Sequence, residues 1–583
     1  MTRYLTKRLL ATSDIYFGAC RIQDQRSDVH SVRALAQCGQ TPQRTHRQLP
    51  GRVTDARKEG EPMTTHSEQA AAEPAGGQAG SSASAAALTS GGPPRNAEPP
   101  DPRRWKALAV LGFVEFMLVL DVTVVNIALP SIQADLRFSE AGLPWVVNAY
   151  VIMAGGLLLF GGRLADIFGR RRLFMVGVVI FALASVLCGS AQNSSVLVIG
   201  RFLQGAGEAC AAPAALGMIA LLFTDQAERA KAFAIWGGLA GLGGVTGTVI
   251  SGVLVDLTSW RWIFFINVPV ALVALILIPR WTKESRMKRE HDRLDFTGAF
   301  AGTAGLLAIV YGLLQVVPNS WGSWRVLVPV LGGLLLVAGM FVWEGRSPTP
   351  LIPRSFFSNR TRLVANVSTL LSTAAFFGYA FLLTLFEQQV LDYSPMASGM
   401  SYVPFGLSIG MGIGLSSVLM LRIGVRKVLA IGFFGAGVGL FLASMIDPSS
   451  SYVGGVLPGM LVLGLSIGMT IPASASAALH EVDEQNSSLA SAVQIVMQQV
   501  GAAIGIACLA ALAFSHTANR RNDGASPVEA VASGYGLSFQ VGAVLMLAAM
   551  LLVLLLLGSP KPVDPGVAGA PQPAPDHAEP AGA

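Results

Sequence analysis

The chain has 583 residues, of which 52% are hydrophobic and only 13% charged, with a mean hydropathy of +0.54. Soluble domains carry about 25% charged residues, so a water-soluble enzyme is excluded and a polytopic membrane protein is implied. The net charge of +6 does not point to nucleic acid: residues 1–62 hold eleven Lys/Arg against six Asp/Glu, and the rest holds thirty against twenty-nine.

Residues 1–62 contain no apolar run long enough for a signal peptide, because Asp14 interrupts the one candidate. Lys58-Glu59-Gly60 can be encoded as AAGGAGG, a ribosome-binding sequence, so native translation is expected to begin at Met63. Intact-mass analysis that found earlier residues would end that expectation and leave a longer cytoplasmic tail. Residues 1–104 as a whole read as a disordered lead.

A bilayer core needs roughly 20 apolar residues per helix. That rule predicts fourteen spans, at 107–129, 144–162, 173–190, 196–222, 233–255, 263–279, 296–316, 326–343, 363–390, 397–420, 428–446, 453–473, 489–514 and 537–558. Loops on one side carry Arg137, Arg261, Arg325, Arg520 and Arg521, whereas the other side carries twenty-three Lys/Arg from Arg103 to Lys561. Basic loops stay inside, so both termini are expected in the cytoplasm. Residues 105–280 and 362–558 read as two six-helix halves, 281–361 as an inserted helix pair with its linkers, and 559–583 as a disordered tail. Ile423-Gly424-Val425-Arg426-Lys427-Val428 in the second half echoes Phe168-Gly169-Arg170-Arg171-Arg172-Leu173 in the first.

An ionisable residue in mid-bilayer costs roughly 2.5–3.5 kcal/mol, so each is a functional candidate. Span one holds Glu115 and Asp121; span four holds Arg201, Gln204 and Glu208 at i, i+3, i+7, on one helix face. Counted at about 1.5 Å per residue, Asp121 and Arg201 share a depth, and Glu115 and Glu208 share another. Desolvation favours a protonated carboxyl and a nearby guanidinium favours an ionised one. A mobile Asp121–Arg201 pair would therefore be a proton switch; a static pair locking two helices is the competing reading. Glu115 and Glu208 lack an obvious basic partner and would take protons or bind a cationic substrate.

Between spans two and three stands Gly162-Arg163-Leu164-Ala165-Asp166-Ile167-Phe168-Gly169-Arg170-Arg171-Arg172-Leu173. Its glycines allow a tight turn, and Asp166 is placed four residues before Arg170 for a local ion pair. The pattern resembles the loop between the second and third helices of the major facilitator superfamily. There it latches the two halves in one state, which implies that role for Gly162, Asp166, Gly169, Arg170, Arg171 and Arg172. Leu120-Asp121-Val122-Thr123-Val124-Val125-Asn126-Ile127-Ala128-Leu129-Pro130 and Trp145-Val146-Val147-Asn148-Ala149-Tyr150 resemble the first and second helices of the fourteen-span drug:proton antiporters, the EmrB/QacA type. Arg201-Phe202-Leu203-Gln204-Gly205-Ala206-Gly207 resembles their fourth-helix motif, whose arginine is linked to proton transfer. Trp260-Arg261-Trp262-Ile263-Phe264-Phe265-Ile266-Asn267-Val268-Pro269 resembles the start of their sixth. The likeness covers residues 105–558 and implies parallel halves about a central cavity.

Two departures stand out. The family's span-five motif has Gly-Pro then Gly-Gly, where this chain has Gly247-Thr248 and Ser251-Gly252. Gly237, Gly238, Gly241, Gly243, Gly244, Gly247 and Gly252 keep a close-packing face, but the proline kink is lost. Glu387 replaces an apolar residue near the end of span nine, where it would reach headgroup water or serve substrate.

Gly406-Leu407-Ser408-Ile409-Gly410 and Gly464-Leu465-Ser466-Ile467-Gly468 fit a nucleophile-elbow pattern but lie in apolar helices without the strand–turn–helix setting, so no enzyme is read from them. Cys188, Cys210 and Cys508 read as small hydrophobes, and neither a metal site nor a cofactor is expected. Asn126, Asn148, Gln204, Glu387, Gln388, Gln494 and Gln498 are the polar candidates for a substrate cavity, with helix packing the competing use for Gln494 and Gln498. The resulting expectation is an all-α, fourteen-helix proton-coupled exporter of amphipathic drugs or antibiotics in a bacterial cytoplasmic membrane. Its partners are a small molecule, protons and the bilayer; it is read as a monomer with no nucleic-acid role. The rivals are a transporter of one metabolite, such as an amino acid or siderophore, and a non-transporting sensor or scaffold.

Overall fold

The computed structural model describes residues 103–558 except 224, 286–294, 348–349, 351, 353, 481 and 483–486. The start at Met63, the lead, the tail and much of the linker before span seven lie outside the described residues. Fourteen of the described helices are long and apolar enough to cross a membrane. They are α1 (Arg104–Leu136), α2 (Trp145–Phe168), α3 (Arg170–Gly189), α4 (Ser194–Leu222), α5 (Gln226–Leu257), α6 (Trp262–Trp281) and α7 (Phe296–Asn319). α8 (Trp324–Glu344), α9 (Arg360–Gln389), α10 (Pro395–Ile423), α11 (Val425–Ala443), α12 (Tyr452–Ala478), α13 (Ser487–Asn522) and α14 (Pro527–Leu556) complete the set.

Each predicted span falls in one helix, and the largest misses are at ends. α13 runs to Asn522 and α14 starts at Pro527, because polar residues prolong both helices beyond the apolar stretch. Ser526 accepts from Glu529 N while the Glu529 carboxylate reaches back, a reciprocal cap that starts α14 early. Asn193, Asp225, Asn359 and Ser394 likewise cap α4, α5, α9 and α10.

The helix contacts repeat between halves. α1 packs on α5 and α6, α3 on α4 and α6, and α2 on α4; likewise α9 packs on α13 and α14, α11 on α12 and α14, and α10 on α12. Gly169 and Gly424, at matching turns, both have positive φ (106° and 82°) that other residues adopt at a cost. The halves meet through α2 against α13 and α5 against α10, while α7 pairs with α8 and leans on α2 and α13.

Small residues set the closest approaches. The two G-x-S-x-G stretches pack on each other: Gly412 faces the Leu465 carbonyl, Gly468 the Ile409 carbonyl and Gly464 the Ser408 hydroxyl. Ser408 thus serves α10–α12 packing, while Ser466 faces Gly435 of α11. In α5, Gly243 abuts Phe116 O, Gly247 abuts α1 at Thr123, and Gly252 abuts Pro395 O of α10. The packing face predicted for α5 needs correction, since a Cβ on Gly237, Gly238, Gly241 or Gly244 would meet nothing within 4 Å. A glycine-rich stretch wraps right round the helix, and neighbours cover one side of it. α5 has no break between Gln226 and Leu257, as expected without the proline.

Candidate functional site: a sealed carboxyl–guanidinium cage

Four helices converge on Asp121 of α1. Arg201 of α4 donates from Nη1 to Asp121 Oδ2 at 2.5 Å, and its Nε donates to Val146 O of α2 at 2.9 Å. Gln204, one turn on, donates to Asp121 Oδ1 (3.1 Å) and to Ser185 Oγ of α3 (2.8 Å) while accepting from Arg201 Nη1 (2.8 Å). α6 breaks at Ile266, and Asn267, which opens its longer segment, donates to Asp121 Oδ1 at 2.6 Å. The guanidinium lies 4.3 Å from the centre of the Tyr150 ring, a cation–π contact strengthened by the burial of both groups.

Asp121, Arg201, Gln204 and Ser185 have no exposed surface. Both carboxyl oxygens face donors, one of them carried by a guanidinium. Removing one member of such a buried pair costs about 3–5 kcal/mol, because the other is left uncompensated. In this conformation the pair is sealed from solvent. Sequence reasoning missed Asn267 and Ser185, which are neutral and easily passed over in apolar helices. Cys188, predicted as a plain hydrophobe, also touches the cage, its thiol 3.4 Å from Gln204 Oε1.

Glu115 and Glu208 stand nearby and differ from Asp121 in being partly open. Glu115 lies within electrostatic reach of Glu208, and Glu208 lies beside Tyr150 and within electrostatic reach of Asp121 and Arg201. The two half-buried carboxyls form an acidic wall beside the cage, with Arg201 within electrostatic reach of Glu208.

The other candidates scatter. Asn126 is half-buried and Gln498 exposed, whereas Gln494 is nearly buried. Asn148, Gln204 and Glu387 are fully buried and have no surface with which to touch a substrate in this conformation. Glu387 also corrects the expectation that it reaches headgroup water: it turns inward, and Ser398 and Ser401 of α10 donate to it at 2.6 and 2.8 Å. Gln388 donates to Ile127 O of α1 at 2.9 Å, which makes it a contact between halves.

The loop after α2 bonds to α4 of its own half and to the linker that follows α6. Asp166 pairs with Arg170 at 3.1 Å, and Arg170 donates to Gly217 O of α4. A Cβ on Gly162 would meet Pro213 of α4 at ordinary van der Waals distance. Glu284, beyond α6, accepts from the backbone N–H groups of Arg171 and Arg172, satisfying two free donors at the start of α3. The sequence reading missed Glu284 because it is one acid in a charged linker.

Comparison with known proteins bears on this arrangement. The family model described as Major Facilitator Superfamily matches residues 111–506. The puromycin resistance protein of Streptomyces alboniger is 39% identical, over 78% of this chain and 92% of that protein. The lincomycin resistance protein of Streptomyces lincolnensis is 38% identical over 71% and 85%, and the cephamycin export protein of Amycolatopsis lactamdurans 36% over 79% and 94%. Among solved structures, an inward-facing, unoccupied bacterial homologue of the lysosomal transporter Spinster superposes with a TM-score of 0.57 at 16% identity, covering 78% of this chain and 97% of that one. That level of identity speaks for the fold alone.

Proposed function

The chain belongs to the Major Facilitator Superfamily, and from that premise we propose that it exports amphipathic drugs or antibiotics across a bacterial cytoplasmic membrane in exchange for protons. The observation that carries this reading is the sealed Asp121–Arg201 cage, an ion pair held in a dry environment by three further helices. A chain with no need to move a charge gains little from burying one, since a well-packed apolar core is often as stable. The names of three relatives, each matched over most of its length, support an antibiotic as cargo.

The basic loops put both termini in the cytoplasm, with 105–280 and 362–558 as the moving halves and 281–361 as an inserted pair. In the conformation seen, the face away from the termini is tied shut: Gln389 bonds Gln133 at 3.0 Å, Gln388 bonds Ile127 O, and Arg521 faces Glu140 at 3.7 Å. Substrate enters from the cytoplasmic side and meets Glu115 and Glu208, which suit a cationic amine on an apolar frame. Opening of the far face breaks the Asp121 cage, a proton replaces the guanidinium, and the loaded acid allows return. The loop from Gly162 to Arg172 then latches the halves in the opposite state. The membrane potential supplies about 2.3 kcal/mol per proton per 100 mV.

Everted vesicles test this directly. A substrate from an antibiotic growth panel is expected to release protons from energised vesicles, and Asp121→Asn to abolish that release. Substrate movement indifferent to uncouplers would reject the coupling.

A further inference from the structure

A second carboxyl group is sealed in this protein, and the scheme above does not use it. Glu387 of α9 has no exposed surface. Ser398 Oγ lies 2.6 Å from Oε2, and Ser401 Oγ lies 2.8 and 3.0 Å from Oε1 and Oε2. The titratable groups around it are Tyr379 on α9, Tyr393 in the α9–α10 loop, Tyr402 on α10 and Tyr452 at the start of α12. No cation is among them, and the nearest charge in sequence, Asp392, is exposed in that loop.

The position of this carboxyl gives it a lever. Its neighbour Gln388 donates to Ile127 O of α1, and Gln389 donates to Gln133. On α10, Gly399, between the two serines, packs against Thr248 O of α5. Glu387 thus staples α9 to α10 where these two helices press on the first half to close the far face.

We infer that Glu387 is a second proton-exchanging site, lodged in the second half and coupled to closure of the far face. Serine hydroxyls donate or accept, so one cage serves both the acid and the anion. As an anion it stands without a counter-charge in a dry site, a state that costs several kcal/mol and is relieved by admitting water. The way in for that water is separation of α9 and α10 from α1 and α5. Tyr379, buried within electrostatic reach, carries a hydroxyl with no hydrogen-bond partner among the described residues, a spare donor for the charged form. Loss of the proton therefore loosens the far face, and its return tightens it.

The inference rests on the alternating-access reading, but its test does not need transport. Hydrogen exchange of residues 126–136 and 385–402 would be measured on the full chain in lipid nanodiscs at pH 5 and pH 8, corrected for intrinsic rates. The unmodified protein is expected to exchange at least about tenfold faster at pH 8 in both segments, the equivalent of one unit of proton affinity. Glu387→Gln should hold the slow rate at both pH values, and Arg521→Gln, at the half-exposed rim, should keep the full pH response. A response that survives Glu387→Gln overturns the proposal. So does equal loosening at both pH values in Glu387→Gln and Glu387→Leu, which marks a structural tie only, or loss of the response in Arg521→Gln, which returns it to the rim. Failure of the antiport reading shows separately, as vesicles in which Asp121→Asn changes nothing.

Discussion

The two halves each bury one carboxyl group completely, and they surround it differently. Asp121 faces donors: a guanidinium and the amide groups of Gln204 and Asn267. Glu387 faces the hydroxyls of Ser398 and Ser401. A donor cage with a fixed positive charge commits its carboxyl to one state and makes any change of state a rearrangement of helices. A hydroxyl cage commits to neither. The first half is therefore built as a lock and the second as a sensor, although their helices pack in the same pattern.

Breaking the lock should have the largest effect. Arg201→Ala leaves Asp121 buried and unpaired, at about 3–5 kcal/mol, so loss of coupled proton release and a marked fall in thermal stability in detergent are expected. Asp121→Asn should abolish proton release with a smaller stability loss, because an amide still fits the cage but strands a donor against the guanidinium. Arg201→Lys should not rescue export. One ammonium cannot reach Val146 O, Asp121 and Gln204 in the geometry of a planar fork. Export activity close to the unmodified protein in the lysine variant would show that only charge matters at this position.

The acidic wall comes next. Replacing both Glu115 and Glu208 with glutamine is expected to cut export of cationic amphiphiles by about tenfold, a loss of roughly 1.4 kcal/mol, and to spare neutral ones. Drug accumulation in a pump-deficient host measures this. Equal loss for neutral and cationic compounds would move these carboxyls from cargo to proton handling.

What the sequence discloses follows from which interactions are local. The spans are legible because a lipid core demands continuous apolar runs, and Asp121, Arg201 and Gln204 because charge and period single them out. Asn267 and Ser185 stay hidden: their meaning lies in which helices touch, and a neutral polar residue has many uses in a membrane. Glu387 reads as a helix-end charge because the sequence gives its depth along α9 alone. The serines that turn it inward lie on α10, across a loop. Glu284 could have been suspected only by knowing that the start of α3 lies beside the end of α6.

The same limit explains the glycines of α5 and yields a finer comparison. A methyl group on Gly247 would strike Thr123 and the Leu120 carbonyl, and so push α5 off α1. One on Gly244 would meet nothing within 4 Å. Gly247→Ala should destabilise by about 1–3 kcal/mol, the usual cost of overpacking. Gly244→Ala should stabilise by about 0.4–1 kcal/mol through the unfolded chain. Thermal unfolding in one detergent separates the two signs.

The smallest effect is expected at the rim of the far face. Arg521 and Glu140 are 3.7 Å apart and roughly half exposed, and such pairs contribute about 0–1 kcal/mol. Arg521→Gln should leave stability within error. The Gln389–Gln133 bond beside it is also exposed and open to competition from water. If closure were held by these rim contacts, removing both would raise hydrogen exchange in residues 126–136 at every pH. If it is held by the buried staple behind them, exchange should barely move while Glu387 is intact. The deeper contact governs because its alternative is a polar group in a dry site, whereas the rim contacts trade one hydrogen bond for another with solvent.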